Sequence, residues 1–221
     1  GPNPSSAHAA RGRWSTEARR HLLRHGTMPL RTGQFAIKAE RGPNLLANAG
    51  IQDGAAGGFP AGWGWSKKAS EASRIEVVAD QAHAGARCLL VAPGPLPPGA
   101  KTGKPAYVAP GPTMPFQPGA AYRFAVWMKA EDGPANVSVE AFSWKKDTHS
   151  WLTETSAQVT DEWREFELLV RLPTVGESAY RATMDRLWTR LTFRPGSARI
   201  LVDDVSLREV EMMDEWRAWQ S

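Results

Sequence analysis

The clearest structural signal in the chain is the segment Gln117-Pro-Gly-Ala-Ala-Tyr-Arg-Phe-Ala-Val-Trp-Met-Lys-Ala-Glu-Asp-Gly-Pro134. Its central residues alternate between an apolar set and a mixed set: Tyr122, Phe124, Val126 and Met128 against Arg123, Ala125, Trp127 and Lys129. Because side chains alternate across a β-strand, the apolar set predicts a core face. The Pro-Gly turn before these residues and the Asp-Gly-Pro turn after them bound the strand. A tryptophan between cations on the other face indicates a role besides core packing.

Two further segments repeat this arrangement. Residues 136–144 set Val137, Val139 and Ala141 against Ser138, Glu140, Phe142 and Trp144. Residues 187–193 set Leu187, Leu191 and Phe193 against Trp188, Arg190 and Thr192. Weaker strand patterns occur at 73–78, 87–91, 155–159, 165–170 and 199–207. Short strands separated by Gly, Pro and Asp turns predict an all-β chain, either an antiparallel sandwich or a barrel.

The distribution of charge limits the partners of the chain. The 221 residues carry 27 Lys and Arg against 23 Asp and Glu, a formal net charge of +4. Residues 1–43 hold eight of the cations and two of the acids, whereas residues 44–210 hold eighteen of each. The surplus therefore belongs to the N-terminal segment and argues against a nucleic-acid-binding domain. No apolar run is long enough for a transmembrane helix. We expect neither nucleic acid nor membrane as a partner.

Helical patterns occur only near the two ends of the chain. Gly1-Pro2 resembles the remnant of a cleaved tag, and residues 15–25 predict a short basic helix. Residues 211–220 place Met212, Trp216 and Trp219 on one helical stripe. The predicted organisation is a tag remnant and basic linker with a short helix at 1–43, a β-sandwich at 44–210, and a C-terminal helix at 211–221. This last helix is expected to lead to a further domain of a larger protein.

Three tryptophans, Trp127, Trp144 and Trp188, fall on the non-core faces of predicted strands. Charged and aromatic side chains accompany them: Arg123, Lys129, Glu140, Phe142 and Arg190. If these strands are neighbours in one sheet, they form a polar surface of indole rings. Such a surface suits carbohydrate, because the C–H faces of a sugar stack on aromatic rings while its hydroxyls need directional donors and acceptors. The alternative is a second small core covered by the Pro-rich segment 92–118.

Four motifs occur in order along the chain: Asn44-Leu-Leu-Ala-Asn-Ala-Gly-Ile-Gln-Asp-Gly54 with Pro60-Ala-Gly-Trp63, Phe116-Gln-Pro-Gly119 with the strand after it, Asp161-Glu-Trp163, and Ile200-Leu-Val-Asp-Asp-Val-Ser-Leu207. Their order and spacing resemble the jelly-roll carbohydrate-binding modules of families four, nine and twenty-two over about residues 44–210. The resemblance implies a sandwich of two antiparallel sheets with a polysaccharide or oligosaccharide across the concave sheet. It also implies a secreted or cell-surface accessory module of a polysaccharide-degrading enzyme, in contact with neighbouring domains.

The same resemblance implies a structural calcium ion near the start and end of the sandwich. Asp203 matches the aspartate of the closing strand, while Gln52 stands where these modules usually have Glu. Asp53 is adjacent and offers a carboxylate. The predicted ligands are therefore Gln52, Asp53 and Asp203. The alternative is that backbone amides satisfy the carboxylates at the strand end.

The remaining tryptophans and His149 have separate predicted roles. Trp63 and Trp163 belong to the structural motifs and are expected to pack in the fold. Trp65 and Trp151 are placed in loops at the rim of the cleft, where Trp151 is a candidate sugar contact. His149 is expected in an exposed loop.

Enzymatic functions have weaker support in the sequence. A glycosidase needs two carboxylates across the scissile bond, and Glu140 is the only acid predicted on the aromatic face. No phosphate loop, Gly-X-Ser-X-Gly or His-Glu-X-X-His motif occurs. The chain is therefore interpreted as a non-catalytic module. A structural module that docks neighbouring domains and a lyase or hydrolase on the same fold stay as alternatives.

Overall fold

The computed structural model describes residues 37–65, 73–146 and 148–212. Within these ranges the chain forms twelve strands and no helix. The strands are β1 Ile37–Arg41, β2 Gly64–Trp65, β3 Arg74–Ala79, β4 Arg87–Ala92, β5 Ala106–Ala109, β6 Met114–Pro115, β7 Ala121–Ala130, β8 Ala135–Lys145, β9 Thr148–Val159, β10 Arg164–Arg171, β11 Arg186–Phe193 and β12 Ile200–Met212. The described part of the chain thus contains no helix that could cross a membrane.

The strands form two antiparallel sheets that pack face to face. Sheet A has the order β10-β7-β12-β4-β3, and β1 pairs with β12. Sheet B has the order β2-β5-β11-β8-β9, and β6 pairs with β11. Phe124 and Val126 of sheet A join Val139 and Leu191 of sheet B in one fully buried core cluster. The predicted all-β jelly-roll sandwich of two antiparallel sheets is therefore confirmed.

The core face predicted for β7 is confirmed. Tyr122, Phe124, Val126 and Met128 are all buried, Tyr122 at 4% exposure and the other three at 0%. Complete burial of such a side chain contributes about 1.5–3 kcal/mol. Trp63, predicted to pack, is also buried in this core. The strongest sequence alternation thus lies at the centre of the molecule.

The fold extends past the predicted sandwich at both ends. β1 pairs with the end of β12, with Ile37 opposite Met212 and Ala39 opposite Glu211. Glu211 and Met212 are therefore strand residues, and the prediction of a helix from 211 is wrong at its start. Val210 and Met212 pack together in a small apolar cluster, and this burial favours strand over the helical stripe. The predicted helix at 15–25 and residues 213–221 lie outside the described residues.

β9 is longer than its sequence pattern predicts. It begins at Thr148 and pairs with β8 along its whole length, with Trp144 opposite His149 and Phe142 opposite Trp151. Trp151 and His149 are therefore strand residues, and their predicted placement in loops is wrong. A bulge between Ala141 and Phe142 shifts the register. The bulge interrupts the alternation that would have identified this half of β9.

Candidate functional site

The outward face of sheet B carries a continuous cluster of aromatic rings, which we call the aromatic platform. On β8, Phe142 and Trp144 alternate with the core-facing residues Ala141 and Ser143. The antiparallel register then sets side chains of β9 and β11 beside those of β8, and β5 adds one residue opposite Thr192. The platform consists of six residues from four strands: Tyr107, Phe142, Trp144, His149, Trp151 and Trp188.

Phe142 lies at the centre of the platform and supports the other rings. It is 3% exposed, and its ring centroid lies 4.4 Å from that of Trp188 and 5.6 Å from those of Trp151 and His149. The Trp144 and His149 rings are nearly parallel, at 21° and a centroid distance of 6.2 Å. Trp151 is 55% exposed and presents its ring to solvent. The sequence predicted that Phe142 contacts sugar directly. Because Phe142 is covered, it instead supports the neighbouring rings.

A polar centre of Arg190, Glu140 and Thr192 lies next to these rings. Arg190 Nε donates a hydrogen bond to the Glu140 carboxylate, and the Thr192 hydroxyl donates to the same carboxylate oxygen at 2.7 Å. The guanidinium carbon of Arg190 lies 4.9 Å from the Tyr107 ring centre and 4.8 Å from that of Phe142. Glu140 is 4% exposed. Glu140 therefore positions Arg190 from the buried side of the face and does not itself face solvent.

Glu154 supplies a second carboxylate on this face of sheet B. It lies on β9 directly opposite Glu140, and its side chain is exposed. Partial burial raises the pKa of Glu154, the negative charge of Glu140 raises it further, and Arg190 opposes both effects. Glu154 was not predicted as a site residue, because the strand pattern recognised in this part of the sequence begins only at residue 155. Glu154 can accept hydrogen bonds from a ligand on the platform.

A groove of about 340 Å³ opens between the platform and the loop after β5. Trp144, His149 and Trp188 line one side, and residues 109–113 contribute to the other. Arg186 holds this loop, because its Nε donates to Thr113 Oγ1 at 2.6 Å and its Nη2 donates to the Thr113 carbonyl. The groove therefore has an aromatic wall and a loop wall fixed by hydrogen bonds.

A glycine permits the close packing of that loop wall. A Cβ at Gly111 would lie 2.5 Å from the carbonyl oxygen of Gly62, closer than any real Cβ contact. Both glycines belong to the segments that border the groove. The shape of the groove therefore depends on the absence of a side chain at Gly111.

Six of the nine predicted sugar contacts meet on sheet B, together with three residues that the sequence did not single out as contacts. The predicted residues are Glu140, Phe142, Trp144, Trp151, Trp188 and Arg190. The additional residues are Tyr107, His149 and Glu154. Tyr107 was recognised only as part of a candidate edge strand, and β9 was recognised only in its second half. Full alternation along β9 would have identified His149, but the bulge shifts its phase, whereas Glu154 lies on the other side of the bulge, one residue before the predicted segment 155–159.

Trp127, Arg123 and Lys129 lie on β7 in sheet A, so the predicted single surface with three tryptophans is wrong. β7 pairs with β10 and β12, whereas β8 and β11 belong to sheet B. Alternation along a strand indicates which side chains face the core, but it carries no information about which sheet the strand joins. The two tryptophan-bearing surfaces therefore lie on opposite faces of the sandwich.

The sheet A residues have partners of their own. His83 stacks on Trp127 at a centroid distance of 3.9 Å and an interplanar angle of 15°. His83 also lies 5.6 Å from Trp163, which packs against a small apolar cluster on this face, as its predicted packing role requires. Arg123 forms ion pairs with three carboxylates: Glu40, Glu165 and Glu167. Covered by His83, Trp127 offers less ring surface to a ligand than Trp151 does.

Two of the predicted calcium ligands, Gln52 and Asp203, bond to backbone groups of the turn between β3 and β4, whereas the backbone N–H and carbonyl of Asp53 bond to the Asn48 side chain. Gln52 Oε1 accepts a hydrogen bond from the Ala86 backbone N–H at 3.0 Å, and Gln52 Nε2 donates to the carbonyls of Gly50 and Arg87. Asp203 is fully buried. Its carboxylate oxygens accept hydrogen bonds from three backbone N–H groups: those of His83 at 2.9 Å, Ala84 at 3.1 Å and Asp204 at 2.8 Å.

These groups as arranged do not fit a calcium ion. Calcium takes several oxygen ligands, including carboxylates. Here the amide nitrogen of Gln52 occupies the point where two carbonyl oxygens converge, and both oxygens of Asp203 already accept hydrogen bonds. The described ranges hold no group of three or more His, Cys, Asp or Glu side chains placed to bind a metal. The arrangement favours the alternative in which backbone amides satisfy Asp203, whose pKa burial raises to about 6.

No family model and no curated protein sequence matches the chain. Solved structures share its fold. The Stig cyclase Fisc from Fischerella sp. TAU is 14% identical with a TM-score of 0.53, covering 77% of this chain and 98% of that one. The arabinose-bound MgGH51 α-L-arabinofuranosidase is 12% identical with a TM-score of 0.53, covering 75% of this chain and 26% of that one. The chain thus spans about a quarter of that enzyme.

Carbohydrate-binding modules also occur among the similar structures. The CBM22-1 xylan-binding domain from Paenibacillus barcinonensis Xyn10C is 16% identical with a TM-score of 0.48, covering 79% of this chain and 99% of that one. At these identities the similarity is one of fold. The fold rests on the two sheets of this chain and on the structures with TM-scores of 0.53, whereas the ligand has to be argued from the residues of the site.

Proposed function

We propose that this chain is a non-catalytic carbohydrate-binding module whose aromatic platform holds an oligosaccharide or polysaccharide. The observation that carries the proposal is the platform itself, a set of partly exposed rings on a strand face that also carries fixed polar groups. Sugar C–H faces stack on Trp151, Trp144 and Trp188, because aromatic faces attract apolar hydrogens and exclude water. Arg190 and Glu154 lie beside these rings and supply a donor and an acceptor for hydroxyls.

The length of this face suits a chain of sugars. Beyond the polar centre, β8 and β9 continue with exposed polar side chains: Asn136, Ser156 and Gln158. The distance along β8 from Trp144 to Asn136 is roughly 26 Å at about 3.3 Å per residue. A glycan can therefore begin in the groove beside Trp144 and continue over a strip of hydrogen-bonding groups.

The proposed setting is a larger, secreted or cell-surface polysaccharide-degrading enzyme in which this chain is an accessory module beside other domains. The four motifs that resemble carbohydrate-binding modules support this setting. The arabinofuranosidase gives an example of an enzyme that contains the same fold as about a quarter of its length.

Affinity electrophoresis on a panel of neutral and uronate polysaccharides tests the proposal. We expect at least one polymer to retard the protein and the Trp144→Ala variant to lose about tenfold or more in affinity. Trp127→Ala is the matched control, because it removes a half-buried indole from the opposite sheet. Absence of retardation on every polymer, or unchanged affinity in a folded Trp144→Ala variant, would refute the proposal.

A second candidate is a hydrolase or lyase on the same fold. The observation that favours it is the pair of carboxylates, Glu140 and Glu154, which lie opposite each other on neighbouring strands. Its weakness is that Glu140 is buried and already bonded to Arg190 and Thr192. Release of new reducing ends or unsaturated products from the retarding polymer, abolished by Glu154→Gln, would establish this candidate.

A further inference from the structure

The positive charge of Arg190 in the polar centre is offset by a carboxylate of the protein itself. Arg190 donates to the Glu140 carboxylate, which is 4% exposed and so remains close to its partner. The faces of the guanidinium lie near three aromatic rings, those of Tyr107, Phe142 and Trp151, with the Trp151 ring centre at 5.7 Å. Arg190 can still direct an N–H group to a hydroxyl, but its charge is offset by Glu140.

Glu154 adds a second negative charge to this centre of the binding face. Within the described residues Glu154 forms no ion pair, and the charges that act on its pKa are those of Glu140, which lies directly opposite on β8, and of Arg190. With all three groups ionised, the centre of the binding face carries one positive and two negative charges. A carboxylate on a ligand at this point would meet like charge, which is costly at a partly desolvated interface.

A second arginine of β11, Arg186, lies at the Trp144 end of the face. Arg186 is beside Trp144 in the register and donates both of its described hydrogen bonds to Thr113. Arg186 and Arg190 are four positions apart on β11, roughly 13 Å at about 3.3 Å per residue. Glu154 lies on β9, with β8 between it and β11, so Arg186 is at least as far from Glu154 and beyond the screening length of about 8 Å at physiological salt. Arg186 therefore contributes little at Glu154.

We propose that the platform takes an uncharged glycan, that Glu154 accepts a hydroxyl hydrogen bond from it, and that the same carboxylate excludes uronate rings. This inference rests on the proposed binding function and specifies its substrate class. An ionised carboxylate accepts strongly from a neutral hydroxyl, so one group supplies both attraction and exclusion.

The test compares polymers that share a backbone and differ in charge: methyl-esterified and de-esterified homogalacturonan, xylan and glucuronoxylan, and a glucan with and without oxidation at C6. Titration calorimetry on the best-retained pair gives the ratio of affinities for the neutral and charged forms. We expect wild-type protein to prefer the neutral form by about tenfold or more. In Glu154→Gln this preference falls below about threefold, because the amide keeps an acceptor and loses the charge.

The control is Glu162→Gln, which removes an exposed carboxylate from the turn before β10 and should leave the preference unchanged. Equal or tighter binding of the charged form by wild-type protein overturns the inference while the proposed function stands. An unchanged preference in Glu154→Gln also overturns it. Failure of every polymer to bind refutes the proposed function itself, so the two failures are distinguishable.

Discussion

Trp151→Ala is the most direct test of how the platform binds. Trp151 is 55% exposed, so about 140 Å² of a side chain of roughly 250 Å² faces solvent. A sugar ring stacked on one face would cover about half of that, roughly 70 Å². At about 25 cal/mol per Å², the loss is about 1.7 kcal/mol, or nearly twentyfold in affinity.

The stability of the fold should also decrease, by an amount of the same order as the loss in binding free energy. Trp151 contacts Phe142 at a centroid distance of 5.6 Å and Arg190 at 5.7 Å. Such contacts contribute about 0.5–1.5 kcal/mol each when exposure is moderate. Urea unfolding of wild-type protein and Trp151→Ala would therefore show a lower midpoint and an unchanged slope in the variant, with both proteins folded in the absence of urea.

Titration calorimetry with the oligosaccharide of the best-retained polymer measures the affinity. Trp151→Phe is the matched variant, since it keeps an aromatic face of smaller area and should recover most of the lost affinity. A folded Trp151→Ala variant that binds within about threefold of wild type would show that the sugar does not stack on this ring, and the orientation proposed for the glycan would be wrong.

Two further predictions concern the scaffold. Chelation by EDTA should leave the unfolding midpoint of the wild type unchanged, and a wild-type midpoint that rises with Ca²⁺ would contradict this. Gln52→Glu should destabilise the fold until Ca²⁺ is added, because a carboxylate cannot donate hydrogen bonds to the Gly50 and Arg87 carbonyls. Arg171 donates two hydrogen bonds to Glu177 and lowers the pKa of that carboxyl to about 2, so Glu177→Gln should cost about 1 kcal/mol at pH 7, where the pair is intact. Because the pKa of Glu177 is lowered in the folded state, this contribution to stability is lost as the pH falls from about 4.5 towards 2. The free energies of unfolding of wild type and Glu177→Gln should therefore converge at low pH. A difference between them that stays constant with pH would refute the assignment.

The parts of the fold that the sequence predicted are those whose pattern is local. β7, β8 and β11 alternate strictly, and each presents its apolar set to the core. β1 and the first half of β9 have no such pattern. They are strands because β12 and β8 offer them backbone partners, and this depends on residues far away in the chain.

The residues of the candidate site also divide into those that a local pattern predicted and those that depend on the pairing of strands. Alternation alone placed Trp144 and Trp188 on an outward face, and the structure confirms that placement. Alternation alone also placed Trp127 on an outward face, but that face belongs to sheet A. The union of Trp144, Trp188, Trp151 and Glu154 on one surface required the order of strands in sheet B.

The physical reason is that the orientation of a side chain relative to its own strand is a property of the extended backbone, which every second residue repeats. The identity of the neighbouring strand is set by hydrogen bonds and core packing between segments that are remote in sequence. The residue types in this chain therefore indicated an aromatic, polar binding face, and the pairing of β5, β11, β8 and β9 selected which of those residues form it.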